Sequence, residues 1–283
     1  MNWKHFIIRI LLVAIAFPTL GAIIFLLPHE RHLAFAITVA AVSAVGAFEV
    51  VGLFRARKIR TSEWLAPILA VTLPAAAWLD TRGIIPSAAQ GLWPAMALGI
   101  LMVCAVLVQA RRSLPSLLAF AASSTFTLMY PALALSFIVR LAGLQQPSLT
   151  IAFFLCVVFG NDMAAYFAGS LWGRSTCLHL PVSPQKSAVG FAAGIAGSFI
   201  VVFAFRLAFP DFLGLGIGAS VLLAVLVGAA VILGDLVESG LKRSAGVKDS
   251  GVIIPGRGGI LDSVDSMVLA APLLYGFLIL AGR

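Results

Sequence analysis

Long runs of apolar residues alternate with short polar stretches along the 283 residues of this chain. A membrane-spanning helix needs about 20 mostly apolar residues. Pro67 and Pro74 weaken the third run, and Pro131 predicts a kink in the fifth, since membrane helices tolerate proline where neighbours satisfy the freed carbonyl. The pattern predicts an all-α polytopic integral membrane protein. Its transmembrane helices, about nine in number, are expected at residues 6–27, 33–54, 64–80, 92–109, 114–139, 149–171, 188–208, 213–235 and 262–282.

The composition supports lipid as the solvent for most of this surface. Hydrophobic residues make up 61% of the chain and charged residues only 11%, whereas a soluble domain carries about 25% charged residues. No long polar tract marks off a soluble domain. We therefore expect one membrane-embedded unit, with an N-terminal set of helices at residues 1–145 and a C-terminal region at residues 146–283.

The distribution of basic residues predicts the topology. A formal net charge of +8 would suggest nucleic acid as the partner of a soluble protein, but here Lys and Arg lie in short loops between apolar runs. With nine spans, 14 of the 19 basic residues share the side of the N-terminus. Because such loops stay in the cytoplasm, we expect a protein of the cell inner (plasma) membrane whose N-terminus faces the cytoplasm. Membrane lipids, and not nucleic acid, are the expected partners.

Acidic residues within the apolar helices are the informative ones, because a charge at the centre of a span costs about 2.5–3.5 kcal/mol. Glu30, Asp80 and Asp211 fall in loops on the outer side and need no explanation. Six other acids fall inside apolar helices or at their cytoplasmic ends: Glu49, Asp162, Asp235, Glu238, Asp262 and Asp265.

Three of these acids are expected to meet at one membrane face. Asp262 and Asp265 are three residues apart, so they share a face at the start of the ninth helix. Asp235 closes the eighth helix on the same side, and the connecting loop can fold back. Clustered carboxylates suit Mg2+, which takes one or two of them together with substrate phosphates. Helix capping, or ion pairing with the nearby Lys and Arg side chains, is the alternative interpretation.

The loop between the last two helices is basic and rich in glycine. It contains Lys242-Arg243, Lys248-Asp249 and then Pro255-Gly256-Arg257-Gly258-Gly259. Glycines let a backbone approach phosphates closely, and the helix N-terminus that follows is expected to present free N–H groups to an anion. The loop lacks the P-loop motif, and the positive charge of cytoplasmic loops explains its basic residues equally well, so by itself it is weak evidence for phosphate binding.

The residues from Ser239 to Asp265, SGLKRSAGVKDSGVIIPGRGGILDSVD, resemble the signature of CDP-diacylglycerol synthases (phosphatidate cytidylyltransferases). That pattern is S-x-x-K-R, four residues, K-D, then P-G-H-G-G and D-R-x-D. Arg257 stands where the family has His, and Ser263 stands where it has Arg. The loop of this chain therefore carries its arginine at position 257 and not at position 263. The residues in register are Ser239, Lys242, Arg243, Lys248, Asp249, Pro255, Gly256, Gly258, Gly259, Asp262 and Asp265.

A second block is similar to the family's N-D-x-x-A-Y-x-x-G and S-P-x-K-[ST] motifs. It begins at Asn161-Asp162 and continues through Ser183-Pro184-Gln185-Lys186-Ser187, and Gly234-Asp235 matches the family's G-D-x-x-x-S. The resemblance covers residues 155–283, whereas the N-terminal half matches only in its apolar character and at Glu49.

The resemblance implies an enzyme that converts CTP and phosphatidate to CDP-diacylglycerol and pyrophosphate at the cytoplasmic face. Asp235, Asp262 and Asp265 would hold Mg2+, with a second cation left open, and would form the catalytic set with Lys242 and Arg243. Asp162 would support the metal or contact the cytidine. The substrate-binding residues expected on this basis are Asp162, Ser183, Lys186, Ser187, Lys248, Asp249, Arg257, Gly258 and Gly259.

Other functions remain open from the sequence. A CTP-dependent prenol kinase or a CDP-archaeol synthase would use a similar site with another lipid acceptor. Transporters also carry intramembrane acids on broken helices, although there the charges lie near the midplane between repeats. The sequence also leaves a homodimer open.

Overall fold

The computed structural model describes residues 15, 18–85, 89, 91–109, 112–256 and 258–282. Eight long helices dominate these residues. In chain order they are α1 (His29–Ala56), α2 (Leu65–Thr81), α3 (Leu92–Gln109), α4 (Leu114–Gly143), α5 (Pro147–Trp172), α6 (Ala188–Ala208), α7 (Ile217–Ala245) and α8 (Leu261–Leu280).

Seven of these helices are long and apolar enough to cross a membrane, and α2 is a shorter apolar helix of 17 residues. The protein is therefore an all-α polytopic membrane protein, as predicted. Each predicted segment after the first has its helix. The first, 6–27, falls largely outside the described residues, with helix described at 18–25, so the count of nine stays a prediction.

Helix α4 changes its winding at the predicted proline. A π-helical segment, Met129–Leu133, interrupts its α-helical turns and contains Pro131. Proline has no N–H to donate and its ring crowds the preceding turn, so the wider π turn accommodates it without ending the helix.

The chain groups into two compact units. The first comprises Met1–Gly143 and Ser244–Val264, and the second comprises Leu144–Arg243 and Asp265–Arg283. Because these units describe packing and not activity, the division at residue 145 that the sequence predicted stays a prediction.

Small side chains let α1 to α4 pack closely in the first unit. Its core consists of buried residues from all four helices: Ala47, Ala66, Leu69, Ala70, Leu73, Ala97, Leu101, Leu128 and Ala132.

Asp80 also belongs to this unit, and the expectation that it lies in an outer loop was wrong. It lies within α2, its side chain is only 4% exposed, and it pairs with Arg140 of α4 at 2.6 Å. The buried carboxylate is tolerated because a cation compensates its charge.

Glycines bring α5 and α6 together in the second unit. A Cβ atom on Gly194 would lie 2.7 Å from Asn161 Oδ1, and one on Gly197 would lie 2.7 Å from the carbonyl oxygen of Gly160. Contacts of this kind are typical of membrane helices that pack through small residues. Asn161 is buried and donates to Ser198 Oγ at 2.9 Å, which links the two helices further.

Candidate active site

Helix α7 carries the first part of the signature. The sequence predicted an end at residue 235 and placed Lys242 and Arg243 in a loop, but the helix continues to Ala245. That prediction was wrong because hydropathy shows only where the apolar run ends, whereas the backbone hydrogen bonds of the helix continue beyond that point. The helix ends before Gly246, whose φ of +76° suits the residue that follows a helix.

Two acids of the second unit meet where α7 and α8 cross. The Asp265 carboxylate interacts electrostatically with those of Asp235 on α7 and Asp162 on α5. Ser266 Oγ donates to Asp162 Oδ1 at 3.4 Å, and Ser239 Oγ donates to Asp235 Oδ1 at the same distance. Like charges held together at the end of apolar helices repel each other, so this arrangement suits a place where a cation binds.

Lysines lie beside these acids in the second unit. Lys186 Nζ forms an ion pair with Asp235 Oδ2. Lys242 interacts with Asp265 and also pairs with Glu238 one turn before it on α7, at 2.5 Å. Glu238 is fully buried, and no role was predicted for it; its spacing of four residues from Lys242 was the available signal. The lysines partly neutralise the acids and place cations near them.

The segment that contains Lys186 is a tight turn leading into α6. Ser183 accepts from the backbone N–H of Lys186 at 3.2 Å through its carbonyl oxygen. Ser187 is buried, and its hydroxyl accepts from the N–H of Gly190 at 3.1 Å, which makes it the N-cap of α6. Capping explains the position of Ser187 without a ligand, and phosphate contacts from Ser183, Lys186 and Ser187 stay predictions.

The glycine-rich loop belongs to the first unit and forms a narrow turn. Ile254 and Gly258 exchange two backbone hydrogen bonds, at 2.8 and 3.0 Å. Gly258 has a φ of +116°, and a Cβ atom there would lie 2.5 Å from Asp262 Oδ2, so the turn requires glycine. Lys248 and Asp249 are exposed. Arg257 lies outside the described residues, and the substrate contacts expected from these side chains stay predictions.

Asp262 organises this loop. Its Oδ2 atom accepts from the N–H of Ser250 at 2.9 Å, from Ser250 Oγ at 2.9 Å and from the N–H of Gly259 at 2.6 Å. An acid in the first turn that reaches back to an N–H before the helix resembles one half of a capping box. Asp262 therefore holds the loop against the start of α8.

A second carboxylate, from α1, reaches the same helix start. Glu49 accepts from the N–H groups of Ile260 at 2.8 Å and Leu261 at 2.7 Å, and from Ser250 Oγ at 2.9 Å. The expectation of free N–H groups at the N-terminus of α8 was therefore wrong, because carboxylates accept from those of Gly259, Ile260 and Leu261. Sequence reasoning counted Glu49 as an acid in an apolar helix but gave it no function.

The structure thus groups the predicted residues within each unit. Asp162, Lys186, Asp235, Lys242 and Asp265 lie together in the second unit, and Asp249, Gly258, Gly259 and Asp262 lie together in the first. Within the described parts of the chain, no three Asp, Glu, His or Cys side chains are placed to hold one metal ion. The metal role of Asp235, Asp262 and Asp265 stays a prediction.

Comparison with known proteins adds named relatives. The chain is 44% identical over 133 residues to a phosphatidate cytidylyltransferase of Synechocystis sp., a match that covers 46% of this chain and 43% of that protein. It is 39% identical over 159 residues to the phosphatidate cytidylyltransferase of Bacillus subtilis, covering 55% and 57%. An uncharacterized protein of Escherichia coli matches at 35% over 137 residues, covering 48% and 44%.

These matches span about half the length of the curated relatives. The match to the family model is longer. The model described as "Cytidylyltransferase family" matches residues 7–281, which include all eight long helices and nearly all of both units. The resemblance that the signature indicated therefore extends over nearly the whole sequence, and the chain belongs to the cytidylyltransferase family.

Proposed function

We propose that the chain transfers the cytidylyl group of CTP to phosphatidate, producing CDP-diacylglycerol and pyrophosphate. The observation that carries the proposal is the meeting of Asp235 and Asp265 beside Lys186 and Lys242, at the crossing of the two helices that bear the signature. Acids and cations side by side fit a reaction in which a divalent ion and two polyanions are handled together. The names of the curated relatives support the same reaction.

Oxygen ligands make the acidic pair suitable for Mg2+. Asp235 and Asp265 would hold the ion, and phosphates and water would complete its coordination, since Mg2+ usually takes one or two carboxylates with substrate phosphates. Asp262 is the third proposed ligand, and the proposal allows a second cation beside the first. When bound, the metal would neutralise charge on the reacting phosphates.

The lysines and arginines would hold the CTP phosphates. Lys186 and Lys242 lie beside the acidic pair, and Arg243 and Lys248 are exposed on the same signature. Because Glu49 and Asp262 accept from the N–H groups at the start of α8, these side chains would supply the contacts to the triphosphate. Asp162 would contact the cytidine or support the metal through Asp265.

The attacking group needs no strong base. It is a phosphate oxygen of phosphatidate, and a phosphomonoester is largely dianionic near neutral pH because its second pKa is about 6. A bond forms between this oxygen and the α-phosphorus of CTP, and the bond to the β-phosphate oxygen breaks, so pyrophosphate leaves. The work of the chain is to align the two anions and offset their repulsion.

The membrane arrangement follows from the charge bias. The N-terminus and the signature would face the cytoplasm in the inner membrane, where CTP is available, and the acyl chains of phosphatidate would stay in the lipid. A homodimer stays a prediction.

Product identification tests the proposal. Purified protein in detergent is incubated with phosphatidate, CTP and Mg2+, and the lipid extract is analysed by mass. CDP-diacylglycerol with equimolar pyrophosphate is expected. If phosphatidate gives no product but a prenol or an archaeal ether lipid does, that lipid is the acceptor and phosphatidate is not. No lipid product with any of them would overturn the proposal and leave a transporter to be tested.

A further inference from the structure

We propose that Glu49 is a positioning residue, which clamps the start of α8 and the loop before it and so fixes the part of the signature that contains Asp262. Its effect on catalysis rests on the proposed function, whereas its effect on the loop does not. Ser250, Ile260 and Leu261, which donate to Glu49, belong to the first unit, as Glu49 itself does.

The clamp consists of three hydrogen bonds to one carboxylate. Oε1 accepts from the N–H of Ile260, and Oε2 accepts from the N–H of Leu261 and from Ser250 Oγ, all between 2.7 and 2.9 Å. These partners lie 201 to 212 residues away in sequence. Two of them are donors that a helix N-terminus leaves without an intrahelical acceptor, so Glu49 acts as a cap supplied from another helix.

The charge of Glu49 is matched to this place. Glu49 is only 6% exposed, and within the described residues no Lys or Arg forms an ion pair with it. A buried carboxylate is costly unless hydrogen bonds compensate it. Here the N–H groups and the positive end of the α8 dipole do so, which couples the negative charge of α1 directly to the position of α8.

The surrounding backbone leaves room for this carboxylate. A Cβ atom on Gly251 would lie 2.5 Å from Glu49 Oε1, and one on Gly259 would lie 2.5 Å from the same oxygen and also overlap Ser250 Oγ. Both glycines are therefore required by the approach of the carboxylate, which is the kind of close contact that explains a glycine without a ligand.

Ser250 links Glu49 to Asp262. Its hydroxyl lies 2.9 Å from Glu49 Oε2 and 2.9 Å from Asp262 Oδ2, so the two carboxylates share the single proton that this hydroxyl donates. Its backbone N–H also donates to Asp262. Movement of Glu49 would therefore disturb Ser250 and, through it, Asp262.

The consequence concerns where substrate phosphates bind. Glu49 takes the place that an anion would occupy at the N-terminus of α8. The triphosphate must then be held by cationic side chains and metal, and not by these amides. Without the carboxylate, the loop would lose its fixed geometry, and its cations would be presented to CTP in many arrangements.

The test compares E49Q with E63Q. Both replace Glu by Gln in the first unit, but the Glu63 side chain is 52% exposed and pairs with Arg55. Hydrogen–deuterium exchange of the full chain is measured over residues 250–261, and kcat and KM for CTP are measured on the same samples. E49D, which keeps the charge on a side chain one methylene shorter, is the conservative variant.

For E49Q we expect faster amide exchange confined to residues 250–261 and a fall in kcat/KM for CTP of at least about tenfold, since hydrogen bonds to charged groups are stronger than neutral ones. The loss should appear mainly as a higher KM for CTP. E49D should recover part of both effects, and E63Q should match the wild type.

Two results would overturn the inference. One is unchanged exchange and kinetics in E49Q. The other is faster exchange throughout the described helices, which would make Glu49 a residue of general stability. If the wild type itself makes no CDP-diacylglycerol, the proposed function fails, but the exchange measurement still decides whether Glu49 clamps the loop.

Discussion

Gly234 of α7 lies against the backbone of Asp265 on α8, so closely that a Cβ atom on the glycine would stand 2.5 Å from the Asp265 carbonyl oxygen. The same Cβ atom would lie 3.1 Å from Cα of Ser266. The glycine directly before Asp235 thus permits the crossing that brings Asp235 towards Asp265. In this family member, the close packing of the two helices explains the glycine of the G-D motif, independently of any ligand.

We expect G234A to lower the transfer rate by at least about tenfold, because the methyl group must push α7 away from α8 and overpacking of this kind costs about 1–3 kcal/mol. The measurement is kcat with CTP and phosphatidate, after size-exclusion chromatography has shown an intact protein. G218A is the matched control on the same helix, since a Cβ there would meet no atom within 4 Å apart from the adjoining residues and backbone of its own helix. Equal rates in both variants would mean that the close crossing is not needed.

Replacement of Lys186 should separate metal binding from nucleotide binding. Lys186 pairs with Asp235, so K186M removes a cation that competes with Mg2+ for that carboxylate and that is proposed to contact phosphate. We expect the Mg2+ concentration for half-maximal activity to fall and KM for CTP to rise by about tenfold or more. K58M, at an exposed lysine of the first unit, is the control. A fall in both quantities would contradict the phosphate role of Lys186.

The buried pair Asp80–Arg140 should contribute strongly to the stability of the first unit. R140M leaves a carboxylate that is 4% exposed without its cation, and such a loss costs about 3–5 kcal/mol. We expect a clearly lower Tm in detergent, with partial recovery in the D80N/R140M double variant. R82M removes the partner of Glu30 in a more exposed pair, for which about 0–1 kcal/mol is expected. Equal Tm values for R140M and R82M would show that burial of the pair has no such effect.

Hydrophobic pattern predicted helix positions well because length and apolarity are set by the membrane itself. The runs 92–109 and 188–208 coincide with Leu92–Gln109 and Ala188–Ala208. The end of α7 was missed by ten residues because the apolar run ends near Asp235 while the helix continues to Ala245, with Glu238 and Lys242 paired one turn apart.

The site was predictable where residues are close in sequence or follow a family motif. Asp262 and Asp265 fall on the first turns of α8 as their spacing indicated. The contacts of Glu49 could not be predicted in this way, since its partners are more than 200 residues distant and no local periodicity encodes them. Asp80 was misplaced for the same reason, because its partner Arg140 is on another helix.

We propose that Asp265, beside Asp235, supports a Mg2+-dependent transfer from CTP to phosphatidate. The most direct measurement is CDP-diacylglycerol formation by wild type, D265N and D211N, the last altering an exposed acid away from the signature, with membrane insertion verified for all three. We expect product from wild type and D211N only when Mg2+ is present, and none from D265N. Full activity in a correctly inserted D265N would contradict it.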